Sequence, residues 1–445
     1  MDIQSLGRTG HLFTNWATTY SCQPELHFEP ETEEQLKQIL NTAQIKNKKV
    51  KVVGCGHSFS DLVCTTDYMI SMKNFDRVIS IDKEACKIKV QAGIEVKKLK
   101  DEILPQHGLA FSVLGSVSEV SLAGCICTGT HGTGGNYGVL SSYVLGLEIM
   151  TANGEIIECS KEKNQEVFLA ACCSLGALGV IMSVTFQCEP AFHLHQSQYR
   201  DTLNNVLDNL DSHITSSDHF RFVWIPHTDH VVVYKANRIS APICRKDSWF
   251  WNYAVGCHML QFCLLISAFF TSLLIYMNRL FSWLLFSKPK EIVDRGDRVF
   301  NLDCLFQQYV MEWAVPREKT AEVLLELKDW IETNQFPAHF PVEVRFVMAD
   351  NIYLSPAYNM DSCYINILMF RPYNKYVPHE TYWNAFQDIM LRAGGRPHWA
   401  KDHGVVADQF RKMYPKWTKF CEIAQKVDPH AMFRNPNLER VLGRN

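Results

Sequence analysis

The chain has 445 residues, of which 47% are hydrophobic and 20% charged. That balance belongs to a globular protein, not a disordered one, and the length allows two or three domains at roughly 100–200 residues each. With 44 basic and 47 acidic residues the formal net charge is -3, without the basic surplus of a nucleic-acid binder.

Residues 1–25 include Arg8, His11, Asn15 and Trp16 and hold no apolar run, so no cleaved signal peptide is expected. Strand, helix and strand are predicted over 26–53. Leu26 and Phe28 lead in, and Leu36, Ile39, Leu40 and Ala43 mark one face of a helix over 31–46. Residues 49–53 alternate and turn apolar, as a half-buried strand does. A glycine turn at 54–58 leads to short strands at 68–71, 78–82 and 87–92, and His107-Gly108 ends a helix over 95–106. Residues 115–138 are rich in Gly, Ser and Thr and read as a long functional loop. Asn153-Gly154 then turns a hairpin between strands at 144–151 and 155–158. The expected first unit is therefore an α+β domain over 1–190.

A second α+β unit is expected over 191–400, with a helix near 202–212 and strands at 220–225 and 230–235. Its composition changes sharply inside. No Asp, Glu, Lys or Arg lies between Asp247 and Arg279. Residues 257–277 are largely apolar, and about 20 such residues cross a bilayer. His258, Gln261, Ser267, Thr271 and Ser272 interrupt the run. Three readings of the insert 249–286 stay open: an interfacial or re-entrant hairpin, a buried helix pair, or a single span. Trp249, Trp251, Tyr253, Tyr276 and Trp283 suit a membrane boundary. Arg245 and Lys246 flank one end and Lys288 and Lys290 the other, so charge sets no orientation. Beyond 290 the pattern predicts helices over 316–334, 381–393 and 410–425, and strands over 341–349 and 364–370. A tail over 401–445 is expected to return to the first unit.

The 16 cysteines include no C-x-x-C pair. Cys125 and Cys127, or Cys172-Cys173, do not suit zinc, and free, mostly buried thiols in a reducing setting are expected. No N-x-[ST] acceptor occurs. His193-x-His195 lacks a nearby carboxylate, so no metal site is expected there or elsewhere. His227 and His230 read as surface or hydrogen-bonded residues.

Two glycine-rich runs carry chemistry. In Val52-Val53-Gly54-Cys55-Gly56-His57-Ser58 a strand enters a turn whose glycines let backbone N–H groups converge on an anion. Phe59 stands where a dinucleotide fingerprint needs glycine, so this is not a Rossmann motif, and by residues alone an ordinary turn is equally open. The run Thr128-Gly129-Thr130-His131-Gly132-Thr133-Gly134-Gly135 suits backbone contacts to phosphate and ribose, or a flexible loop. Period two places Glu343 and Arg345 on one strand face, either as a surface ion pair or as a site.

Taken together, these runs, Leu114-Gly115-Ser116 between them and the late Arg396-Pro397-His398-Trp399-Ala400-Lys401 resemble the vanillyl-alcohol-oxidase-type flavoproteins, in their aldonolactone oxidoreductase branch. The resemblance covers essentially the whole chain, including Phe433-Arg434-Asn435-Pro436. It implies a two-part α+β fold with FAD between an FAD domain and a substrate cap. It implies a covalent bond from His57 to the flavin 8α-methyl carbon. Val53, Gly54, Cys55, Gly56, Ser58, Gly115, Ser116 and Thr128 to Gly134 would hold the cofactor. Arg345 would bind the substrate hydroxyl, Glu343 would orient the substrate, Ser116 would add a polar contact, His398 would shape the pocket, and Lys401 would face the flavin. Glycine at 115 implies direct access of O2. The expected reaction converts L-gulono-1,4-lactone to a 2-keto lactone that tautomerises to ascorbate, with H2O2 released at a microsomal endoplasmic-reticulum membrane. The alternatives are L-galactono- or D-arabinono-1,4-lactone, an open-chain alditol, or a membrane flavoprotein without turnover.

Overall fold

The structure is a computed structural model describing residues 3–245, 248–301 and 306–443. Lys246 and Asp247, which bear on the charge pattern around the insert, lie outside the described residues.

The helix Glu33–Ile45 starts where Thr32 accepts the Gln35 amide, and it buries Leu36, Ile39, Leu40 and Ala43. It packs on a small sheet in which Leu26–Phe28 and Val50–Val53 flank Tyr68–Ser71 in parallel. Parallel strands end together at one edge, and open parallel sheets take ligands beyond that edge. Here the edge carries the turn Gly54–Ser58. An antiparallel five-stranded sheet follows in the order Ile156–Ser160, Val144–Met150, Val180–Gln187, Lys87–Gln91 and Val78–Asp82.

The second half is built on an eight-stranded antiparallel sheet. Its inner strands run His219–Trp224, Val342–Val347, Ser362–Phe370 and Gln308–Pro316. Thr320–Thr333 and Glu380–Arg392 bury apolar stripes into the main core. The chain end lies against the first sheet: the Val50 amide donates to Met432 O at 2.8 Å, and Asn435 Nδ2 donates to Leu62 O at 3.0 Å and Cys64 O at 2.9 Å.

Several expectations need correction. The tail helix over 410–425 is two helices, Ala407–Met413 and Trp417–Val427, because Pro415 removes an amide and disfavours helical backbone before it. The helix over 316–334 starts only at Thr320, since Pro316 ends a nine-residue strand. The loop over 115–138 contains the helix Leu122–Cys127, capped by Ser121. The insert is a helical hairpin. Phe270 leaves helical φ/ψ, so the apolar stretch 257–277 is divided between Leu260–Phe269, which continues the turns before it, and Leu273–Phe286. No helix among the described residues is long and apolar enough to cross a membrane. One face of the hairpin buries Leu260, Leu264, Leu274 and Phe281 against Ile225, Val232 and Phe340. The other exposes Trp249, Phe262, Phe269, Phe270, Tyr276 and Trp283.

Candidate active site

Both glycine-rich runs and the inner strands of the large sheet meet at one cavity. Val53, Gly54, Cys55, Gly56, His57 and Ser58 line one wall. Gly56 takes φ +70, which a side chain would strain. A Cβ at Gly54 would come 2.0 Å from Ser121 Oγ, so glycine is what allows the two loops to touch.

The His57 ring stacks on Trp16, with centroids 5.7 Å and planes 18° apart. The Trp16 amide donates to Gly56 O at 2.9 Å, and Asn15 Nδ2 donates to Ser58 O at 2.9 Å. Nothing local in the sequence marks Asn15 and Trp16 as supports of this loop; only the fold brings them there. Burial lowers the His57 pKa, Glu119 opposes the shift and Lys401 adds to it, so the imidazole is neutral at pH 7. The Phe59 amide donates to Ala400 O at 2.7 Å, which fastens the His57 loop to the late motif. Lys401 Nζ then lies 4.5 Å from the Phe59 ring centre, within cation–π range.

Register explains the opposite wall. Glu343 pairs with Asn366, and Asn366 pairs with Glu312, so three adjacent strands aim these side chains to one side. Arg345 lies two residues along on the same face, opposite Tyr364 and Arg221. Its guanidinium pairs with Glu312, donates to Ser116 Oγ at 3.3 Å, and has Nε 3.7 Å from Glu343 Oε2. Arg221 Nη1 donates to the other Glu343 oxygen at 3.1 Å. Glu343 and Arg345 thus belong to a buried charge network and not to a surface pair. Glu312, Asn366, Gln308 and Arg221 were not legible as site residues; the apolar run around Glu312, Met311-Glu312-Trp313-Ala314-Val315, is the one available signal of a buried strand carrying a charge.

His131 sits 3.3 Å from Glu312 and stacks on Tyr364 with centroids 3.6 Å apart. Burial would raise the Glu312 carboxyl, but Arg345 and then His131 hold it well below the usual range. His131 and His398 are pushed down by burial, so both rings stay neutral. The His398 amide donates to Glu312 O at 2.9 Å. Ligand atoms of His131, Glu312 and His398 fall within 4.8 Å of one another, a grouping the sequence did not suggest. Arg345 already supplies the cation that balances Glu312, which disfavours a second one there.

Of the second run, Thr128, Thr130 and His131 line the main cavity, as do Gly115 and Ser116. Gly129, Gly132, Thr133 and Gly134 stand outside its lining. Gly132 and Thr133 face a smaller cavity beside Arg221 and His219. Gly134 donates its amide to Phe346 O at 2.7 Å, and Thr133 Oγ1 accepts the Phe346 amide at 3.2 Å, so this part ties the loop to the large sheet. His193 bonds through Nδ1 to Ala241 O at 2.7 Å, and His195 lies 3.5 Å from Glu291.

These residues fit FAD. Glycines shape a turn for a pyrophosphate, a neutral imidazole lines the wall, and Arg345 Nε is buried without a hydrogen-bond partner.

Comparison with known proteins agrees in extent. The family described as D-arabinono-1,4-lactone oxidase matches residues 184–441, and the FAD binding domain family matches residues 24–160. An L-gulonolactone oxidase from Scyliorhinus torazame is 51% identical over 98% of this chain and 99% of its own. An enzyme of that name from Bos taurus is 48% identical over the same shares. An L-gulono-1,4-lactone dehydrogenase from Mycobacterium tuberculosis is 33% identical over 97% of this chain and 99% of its own. In fold, the chain superposes on a cholesterol oxidase from B. sterolicum with a TM-score of 0.78 at 17% identity, covering 97% of this chain and 96% of that one.

Proposed function

This chain belongs to the D-arabinono-1,4-lactone oxidase family and is an FAD-dependent oxidoreductase, and on that premise we propose that it oxidises L-gulono-1,4-lactone with O2. The products are H2O2 and a 2-keto lactone that tautomerises to ascorbate. The observation that carries the proposal is the buried row Glu343, Asn366 and Glu312 with Arg345, facing the loop that bears His57.

FAD, when bound, accepts the hydride taken from the lactone's alcohol carbon. The protein supplies position and field. Arg345, fixed by Glu312 and Ser116, lowers the cost of negative charge on the substrate hydroxyl. Glu343, with Arg221 on one oxygen, accepts hydrogen bonds from neighbouring hydroxyls through the other. Lys401, which lines the cavity, would offset negative charge on a bound flavin. Neutral His398 packs as the floor of the pocket. The neutral His57 ring offers the lone pair that a covalent bond to the 8α-methyl carbon requires. Gly115 leaves the space that O2 needs.

Comparative kinetics tests the substrate. The kcat/KM for L-gulono-1,4-lactone should exceed that for L-galactono- and D-arabinono-1,4-lactone and for alditols. A higher value for D-arabinono-1,4-lactone would move the assignment to that substrate.

The same proposal places the protein on the endoplasmic-reticulum membrane, lying on it by the exposed face of the hairpin. Support comes from aromatic residues clustered there: Trp249 is 67% exposed, Phe269 77% and Trp283 61%.

A further inference from the structure

Lys51 has no role in the chemistry above, yet it is the most confined cation near the cofactor cavity. It lies in the strand Val50–Val53, three residues before Gly54, and is 1% exposed. Its one paired strand, Tyr68–Ser71, brings no charge to it. Its ammonium donates to Phe433 O at 3.3 Å, a long contact, and it joins no ion pair among the described residues.

The charged groups around it are already engaged. Both Asp428 oxygens accept backbone amides, from Met432 at 2.8 Å and Phe433 at 2.9 Å. Burial raises the Cys127 thiol, which lies 3.2 Å from Ser174 Oγ and stays protonated. Asp428 acts on the ammonium only at a distance, and a buried ammonium without a direct ion pair is costly unless a partner arrives. Lys51 lines the same cavity as Gly54, Cys55 and Gly56, together with Cys127 and Gly176. Gly176, whose φ of +69 favours glycine, lies beside the ammonium: a Cβ built on it would sit 3.7 Å from Lys51 Nζ, in ordinary contact. Burial pulls the ammonium down to about 8, which leaves it charged at neutral pH.

We propose that Lys51 is the protein's counter-cation for the phosphate-bearing half of FAD, its charge completed only when the dinucleotide enters. This rests on the FAD reading of the cavity and adds a residue that the glycine motifs do not contain. The bare backbone of Gly54–Gly56 shapes the anion site, and Lys51 supplies its full positive charge from beneath the strand. The apoprotein then carries a buried ammonium that Asp428 balances only from a distance, without an ion pair, so cofactor loss and loss of stability are linked through this one side chain.

The test uses the full chain with His57→Ala, which makes flavin binding reversible, and titrates FAD and riboflavin by fluorescence. Lys51→Met should weaken FAD binding by tenfold or more and leave riboflavin, which has no phosphate, within about twofold. Lys51→Arg should keep most of the FAD affinity. The apoprotein of Lys51→Met should melt no lower than its parent, with a smaller rise on adding FAD. Equal weakening of FAD and riboflavin, or unchanged FAD binding, would overturn the proposal. So would failure of both Lys51→Met and Lys51→Gln to fold, which would make Lys51 a part of the scaffold. If the Lys51-bearing parent binds riboflavin but gains nothing from the ADP half, the FAD reading itself fails.

Discussion

Glu312 organises the site at the level of single residues. It is 1% exposed and balances Arg345 while touching His131. Glu312→Gln leaves the guanidinium with less compensation, at a cost of about 3–5 kcal/mol in stability. Urea unfolding should show that loss, and anaerobic flavin reduction should slow as Arg345 is released. Adding Arg345→Leu should recover much of the stability and none of the reduction rate. If Glu312→Gln changes neither, the network does not position Arg345. Gly115 separates the two half-reactions. A Cβ there would meet Thr130 Cγ2 at 2.9 Å, so even alanine crowds the spot. Gly115→Ala should slow reoxidation by O2 by tenfold, about 1.4 kcal/mol, with reduction by lactone nearly unchanged. Equal losses in both would end the oxygen-access argument.

Among the elements, the hairpin makes the sharpest prediction. Charges on its exposed face, as in Phe269→Glu with Trp283→Glu, should release the protein from microsomal membranes without loss of soluble activity. Leu264→Glu strikes the buried face and should unfold the hairpin instead. Pelleting unchanged by the exposed pair would show that this face holds no membrane. Most short strands of the first half were located to within a residue or two, because they are short apolar or β-branched runs bounded by turn residues; only Lys87–Gln91 alternates cleanly between buried and more exposed positions. Periodicity missed His193–Thr202 and Gln308–Pro316, and also Val180–Gln187 and Lys290–Arg295. The first carries mixed polar residues on both faces. The second is buried on both faces, so its pattern is a continuous run that a helix could share. That miss hid Glu312. The His57 loop and the late motif were legible because their chemistry is local in sequence. Asn366, Lys51 and Trp16 at the cavity, and Arg221 behind Glu343, were not, since register and tertiary contact alone bring them there.

For the whole molecule, buried histidines set a pH limit. Burial lowers His339 to about 3, and burial with Arg440 does the same for His403. His131 and His398 are also held neutral by burial. Their folded pKa values lie below the ordinary value near 6.5, so the unfolded chain binds more protons as pH falls below it. Stability should be flat from this source above about pH 7 and fall below 6.5, by about 1.4 kcal/mol per pH unit for each fully buried histidine. Urea midpoints across that range measure it, and His339→Asn should reduce the slope. A midpoint that rises on acidification would contradict the neutral assignment.

A visible spectrum, with fluorescence on a denaturing gel, before and after L-gulono-1,4-lactone is added without oxygen, tests both the flavin and the substrate. Yellow fluorescence should stay with the denatured chain, and absorbance near 450 nm, a general flavin property, should bleach on adding the lactone and return with air. Bleaching with flavin that washes out would retain the oxidase and remove the His57 bond. Well-folded protein without flavin, or flavin that no aldonolactone reduces, would rule out a flavin-dependent lactone oxidase.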